Sequence, residues 1–267
     1  MPLPNDASSL SGTLHALTRA ISLALEECAL THLPRTSIDL DRARVQHAAY
    51  ERLLTELGCT VQQLATSPDL PDSVFIEDAA VVLDEIAVIT RPGAASRRPE
   101  TTAVAEALAT YRPLRATIEP PGTLDGGDVL RLGRRLFVGA SSRTNEAGLA
   151  QFRAIVAPHG YTVEAVPVQG CLHLKTAVTA VGDAAVLLNP AWVEAARFAR
   201  YDVVEIDPAE PFAANALLVG TTVIYPAHVP RTRERLQAHG LDVRLVPADE
   251  LAKAEGGLTC SSVLFTA

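Results

Sequence analysis

The stretch DVLRLGRRLFV (Asp128–Val138), continued by NEAGLAQFRAIVAPH (Asn145–His159) and YTVEAV (Tyr161–Val166), sets the pattern of the whole chain. Asp128–Leu132 and Arg135–Val138 are short apolar runs separated by two residues, the signature of paired strands. Asn145–His159 has the length and composition of a helix, and Tyr161–Val166 alternates as a strand again. The unit is strand, strand, helix, strand.

The same order recurs on both sides of it. Strand pairs are expected at Ala79–Leu83 with Glu85–Thr90, Ala177–Val181 with Ala184–Leu188, and Ala216–Val219 with Thr222–Tyr225. The turns Val181-Gly182-Asp183 and Val219-Gly220-Thr221 carry the glycine that tight hairpins favour. Helix followed by strand is expected at Asp41–Leu57 with Val61–Leu64, Pro99–Tyr111 with Arg115–Ile118, Ala191–Phe198 with Asp202–Ile206, and Arg231–His239 with Asp242–Leu245. In the first helix Val45, Ala48, Ala49, Arg52 and Leu53 share a face, and Gly58 supplies a C-terminal stop. The period is roughly 45–55 residues, in the range of repeat architectures, and five units fit the length. The pattern alone leaves a two-domain α/β arrangement open.

Composition narrows the function. The chain has 267 residues, 48% of them hydrophobic, enough for a large core. A formal net charge of -8, with no arginine cluster longer than two residues, argues against nucleic acid as a partner. No apolar run reaches membrane-spanning length, and Met1–Asp6 lacks the basic-then-apolar order of a secretion signal, so a soluble cytoplasmic protein is the expectation. Cys28, Cys59, Cys171 and Cys260 are widely spaced, which predicts neither disulfides nor a zinc site. Cys171, two residues before His173, reads as a packing residue.

Polar residues interrupt the apolar, strand-like runs at PDSVFIEDAAVV (Pro71–Val82), SRR (Ser96–Arg98), LDGGDVL (Leu124–Leu130), SSRTN (Ser141–Asn145) and LHLKT (Leu172–Thr176). Buried charges are costly unless paired, so several of complementary sign point to a shared pocket. Cys260, in GGLTCSSVLF (Gly256–Phe265), is a thiol among small and hydroxyl residues entered from a flexible Gly-Gly, which suits a nucleophile held at a fixed point.

These segments, with ITRPGAASRR (Ile89–Arg98) and FVGASSRTN (Phe137–Asn145), stand in the order and at about the separations of the dimethylarginine dimethylaminohydrolases, and the chain resembles that family nearly end to end. The resemblance implies a five-bladed α/β propeller, the pentein fold of the guanidine-modifying enzymes, as a single catalytic domain over residues 1–267. It implies Cys260 as nucleophile, His173 as general acid and base, and Asp125 as the residue that orients His173. Many relatives carry Glu at this last position, and Gly126 and Gly127 permit the closer backbone that Asp requires. Asp72 and Asp78 would bind the guanidinium, with Glu77 in support. Arg97 and Arg143 would clamp the α-carboxylate, and Leu30 and Ala254 would contact substrate through their backbone.

The residue types fit that chemistry. A planar, permanently charged guanidinium calls for carboxylates set in its plane. A thiol needs a lowered pKa or a cationic substrate to attack at neutral pH. The implied reaction is hydrolysis of dimethylarginine or monomethylarginine to citrulline and an alkylamine, with no cofactor and no metal, on a small-molecule substrate, by a monomer or homodimer. The rivals are arginine deimination or amidino transfer on the same fold, which share Cys260 and His173, and a non-catalytic amino-acid-binding protein.

Overall fold

The computed structural model describes residues 12–267, and the unit read from Asp128 to Val166 recurs in it five times. In chain order the elements are β1 (Leu14–Arg19), α1 (Leu40–Glu56), β2 (Thr60–Leu64), β3 (Ala80–Val82), β4 (Ala87–Ile89), α2 (Thr101–Leu108), β5 (Arg115–Thr117), β6 (Val129–Leu132), β7 (Arg135–Ala140) and α3 (Glu146–Val156). They continue with β8 (Thr162–Pro167), the single turn α4 (Leu174–Ala177), β9 (Val178–Gly182), β10 (Ala185–Leu188), β11 (Asp202–Glu205), β12 (Leu217–Val219), β13 (Thr222–Pro226), α5 (Pro230–Ala238), β14 (Asp242–Val246), the turn α6 (Asp249–Ala252) and β15 (Val263–Thr266). Each sheet has three strands, with the first pair antiparallel and the second pair parallel across a crossover.

One sheet draws on both ends of the described chain. β15 pairs antiparallel with β1, Leu14 facing Thr266, and β1 pairs parallel with β2. This closes the set of five into a ring, in agreement with the propeller expected from the resemblance. Five hydrophobic clusters fill the seams between consecutive units; Val81, Val88, Val129 and Phe152 lie in one seam, and Leu187, Val204, Val223 and Leu236 in another. Residues of β3, β6, β9, β12 and β15, the first strand of every sheet, line an axial channel.

Local signals explain the helix ends. Asp39 accepts the Arg42 N–H at the start of α1, and Asn145 accepts the Gly148 N–H at the start of α3, caps that contribute about 1 kcal/mol each. Gly58 takes up φ +90° just after α1. The buried face of α1 differs from the expected one. Val45 is 67% exposed, and Ala43, Gln46, His47, Tyr50, Leu53 and Leu54 face inward, because Gln46 bonds to Asp249 and to the Glu250 N–H. The helix expected at Ala191–Phe198 is only a 3-10 turn over Ala195–Phe198. The helix expected from Pro99 is preceded by a 3-10 segment, Ala95–Glu100, that holds Arg97.

Candidate active site

The polar segments do not interrupt strands, contrary to the sequence reading. Four form a helical turn just before the first strand of a sheet: Ile76–Ala79 before β3, Gly126–Asp128 before β6, α4 before β9, and Thr259–Ser261 before β15. In the remaining unit a loop brings Asn215 to the same place, where its side chain bonds to Thr259 and to the Lys175 carbonyl. Short turns end in backbone groups without helical partners, and these tie the units together. Gly127 N–H donates to Asp78 and Leu174 N–H to Asp128.

His173 stands directly before α4 in an extended conformation and is 4% exposed. Its Nε2 is 2.9 Å from Asp125 Oδ2 and 3.8 Å from Asp78 Oδ1. Asp125, fully buried, also accepts the Gly93 N–H at 2.8 Å, so both of its oxygens are fixed. A Cβ on Gly127 would lie 2.7 Å from Asp78 Oδ1 and 2.8 Å from His173 Nδ1, which reserves that position for glycine. Burial alone would lower the His173 pKa, but Asp78, Asp125 and Asp128 outweigh it and raise it to about 9.

Asp78 and Glu77 are neighbours with different partners. Asp78 is paired with Arg97 and held well below the carboxylate range; burial opposes this, and the charges of His173 and Arg97 with the Gly127 N–H prevail. Glu77 is paired with Lys175 and accepts from Thr259 Oγ1, and this group stands at the head of the axial channel. Asp72 lies apart from them beside the segment Cys28–Leu33, accepting the Ala29 N–H at 3.2 Å, with the charges of Arg97 and Arg143 near it.

Arg97 is placed differently from the expectation of a free carboxylate clamp. Its guanidinium is 4% exposed, pairs with Asp78, bonds to Glu100 through Nε and Nη2, and donates to the carbonyls of Asp72 and Phe75. Each of its three nitrogens has a protein partner. Arg143 is the less committed cation, with Nη1 buried and unpartnered among the described residues.

Asp72, Asp78, Arg97, Arg143, His173, Ala254 and Cys260 line one small cavity, together with Ala29, Phe75, Leu172, Glu255 and Gly256. Leu30 belongs to the cover segment over this cavity and packs with Cys28, Phe75, Ala254 and Cys260. Burial, reinforced by Glu77 and Asp78, pushes the Cys260 thiol up to about 12, so it rests protonated. Cys171 is buried in a seam between units, and its Sγ bonds to the His173 carbonyl.

Asp128, Glu100 and Lys175 were given no role in the sequence reading. Asp128 is fully buried, accepts from Leu174 N, Ser141 Oγ and Thr144 Oγ1, and is raised by burial to about 6. It joins the turn beside His173 to the loop that carries Arg143. Its place in the Gly-Gly-Asp run was the available signal. Asp78, Asp125 and His173 have ligand atoms within 4.8 Å of one another. An imidazole protonated up to about pH 9 offers no lone pair, and Asp78 is already bound by Arg97, so the set does not suit a cation.

Comparison with known proteins identifies the family. Residues 33–203 match the model of the eukaryotic N,N dimethylarginine dimethylhydrolases. A dimethylarginine dimethylaminohydrolase of Streptomyces coelicolor is 43% identical over 93% of this chain and 95% of its own length. The chain belongs to this family. The Pseudomonas aeruginosa member is 37% identical over 85% of this chain and 90% of its own. Its structure as a cysteine-to-serine variant complexed with citrulline superposes with a TM-score of 0.89 at 34% identity, covering 94% of this chain and 98% of that one. The N-terminal domain of a cyanobacterial arginine dihydrolase, 19% identical with a TM-score of 0.82, shares the fold.

Proposed function

We propose that the protein hydrolyses Nω,Nω-dimethyl-L-arginine and monomethyl-L-arginine to citrulline and the alkylamine. Family membership and one observation support this: a half-buried thiol, an acid-paired imidazole and an anionic wall share one small cavity. A site this acidic keeps Cys260 protonated when empty, and a guanidinium entering beside Asp78 offsets the charges, those of Glu77 and Asp78, that hold the thiol proton. Cys260 then loses its proton to solvent, and the thiolate forms a bond to the guanidine carbon. The bond from that carbon to the dimethylamino nitrogen breaks as His173 delivers its proton to the leaving amine, which leaves a thiouronium on Cys260. His173, now neutral, takes a proton from water. The water oxygen bonds to the same carbon, the carbon–sulfur bond breaks to restore the thiolate, and the remaining hydroxyl proton passes to solvent or to the departed amine as citrulline forms. Asp125 holds the imidazole in place and stabilises its cation.

Within this proposal Arg143 receives the α-carboxylate. Arg97, with each of its nitrogens partnered, sets Asp78 in position, and Asp72 serves the amino-acid end of the substrate; Leu30 and Ala254 border that end. A cytoplasmic location and a monomeric or homodimeric state are part of the same reading. No helix among the described residues is long and apolar enough to cross a membrane.

Supplying dimethylarginine, monomethylarginine and arginine separately, and measuring citrulline with dimethylamine, methylamine or ammonia, tests the assignment. Release of ammonia from arginine at comparable efficiency would move it to a deiminase. Tight binding without any release would make the chain an amino-acid-binding protein.

A further inference from the structure

No residue between His173 and Ala254 lines the catalytic cavity, so the unit of β12, β13 and β14 touches it nowhere. That unit contributes Asn215 instead, 5% exposed and just ahead of β12. Asn215 Oδ1 accepts the Thr259 N–H at 3.0 Å, and Nδ2 donates at 3.0 Å to both the Lys175 carbonyl and Thr259 Oγ1. Both donors of the amide and its acceptor are used.

The bonds close into a ring. Thr259 Oγ1 donates to Glu77 Oε2 at 2.8 Å, and Glu77 Oε1 pairs with Lys175 Nζ. Lys175 is held at both ends, by Glu77 through its ammonium group and by Asn215 through its carbonyl. Each of these partners neighbours a residue of the proposed reaction: Glu77 precedes Asp78, Thr259 precedes Cys260, and Lys175 stands two positions after His173. Gly257 points to the same amide. A Cβ there would lie 2.3 Å from Asn215 Cγ, so only glycine admits the side chain, three residues ahead of the thiol. A buried polar network whose members are all satisfied fixes what it joins.

We propose that Asn215 is a positioning residue that sets the spacing of Cys260 and His173 by locking together the turns at which they stand. This rests on the hydrolytic reading above. The reacting groups then depend on all five units, four through residues at the site and the fifth through this amide.

S-methyl-L-thiocitrulline tests the two groups separately. Cys260 bonds to its central carbon as the bond to the methylthio sulfur breaks, and methanethiolate departs without needing a proton from His173. His173 loses its proton to the freed thiolate or to solvent, then takes one from the water that hydrolyses the thiouronium. In Asn215→Ala, adduct formation in a single turnover should stay within about threefold of the wild type, while hydrolysis slows about 10–100-fold, the scale of a misplaced catalytic group. Intact-protein mass spectrometry should show the adduct accumulating beyond the wild-type level. Citrulline should bind within about twofold of the wild type. Thr259→Val, nearly isosteric, breaks the ring at another bond and serves where Asn215→Ala does not fold. It should give the same pattern, and the double variant should lose less than the product of the single losses. Adduct formation or citrulline binding that falls as far as hydrolysis would make Asn215 a stability residue alone and overturn the proposal, as would unchanged kinetics. Wild-type protein that releases no amine from dimethylarginine overturns the proposed function; accumulation of the adduct on Asn215→Ala would still uphold the role of Asn215, and its absence would overturn it.

Discussion

Asp125 Oδ2 meets His173 Nε2 at 2.9 Å in the interior of the ring, while its other oxygen is pinned by the Gly93 N–H. The carboxylate cannot swing away, so the imidazole has one orientation.

This pairing has a pH signature. With the His173 pKa raised to about 9, the imidazole stays charged through neutral pH, and if it is the proton donor of the proposed reaction, kcat should fall on the alkaline side near that value. Asp125→Asn removes an adjacent anion and should move this limb to lower pH by about one unit or more. A limb that stays in place would assign it to another group. The raised value also affects folding. Its contribution to stability is complete below the ordinary histidine value and is lost as pH rises through about 9. Urea unfolding from pH 6 to 10 should show that decline in the wild type and a flatter profile in His173→Gln.

Cys260→Ser should abolish turnover and leave substrate binding measurable, since the hydroxyl keeps the shape without the thiolate character. Alkylation of Cys260 in the free protein should be slow at neutral pH and accelerate steadily toward pH 11, because the resting thiol is pushed up to about 12. Rapid alkylation at pH 7 with a plateau would show a standing thiolate, and substrate-assisted ionisation would be wrong.

The two arginines should separate cleanly. Arg143→Ala should raise KM for dimethylarginine by about 10–100-fold, the scale of a charge-assisted pair, and leave a decarboxylated guanidine unaffected. Arg97→Ala strips the counter-ion from buried Asp78 and Glu100 and should cost roughly 3–5 kcal/mol of stability, with activity lost on both compounds. A stable Arg97→Ala protein with a loss confined to the carboxylate-bearing substrate would return Arg97 to the clamp.

Asp128→Ala leaves Leu174 N without its carboxylate acceptor and frees Ser141 and Thr144. We expect roughly 2–4 kcal/mol of destabilisation and a drop in kcat through misplacement of His173, tracked by thermal unfolding and steady-state kinetics. Activity held at the wild-type level would limit Asp128 to stability alone.

The strand pairs and crossovers were legible because each is local: Arg135–Val138 finds Asp128–Leu132 a few residues away, and alternation marks both. The pairing of β1 with β15 was not, since Leu14 and Thr266 are remote in sequence and neither run was read as a strand. The residues lining the cavity were legible through the family resemblance, while their bonding was not. Arg97 looked free because its partner Glu100 sits three residues on, inside a segment read as the start of a helix. Glu255, which lines the cavity with a left-handed backbone at φ +59°, carried no pattern at all, because such a backbone at a charged residue leaves no trace in composition.

The sheet built from β15, β1 and β2 places Cys260, the proposed nucleophile, next to the strand that seals the ring. During synthesis the ribosome releases the segments bearing Asp78, Asp125 and His173 well before the one bearing Cys260, and a nascent chain so far translated is a set of open blades. In the finished ring two residues separate the thiol from the strand that docks on β1. A product truncated before Cys260 would lack both the seal and the thiol, so the open ring it could form carries no sulfur at this site.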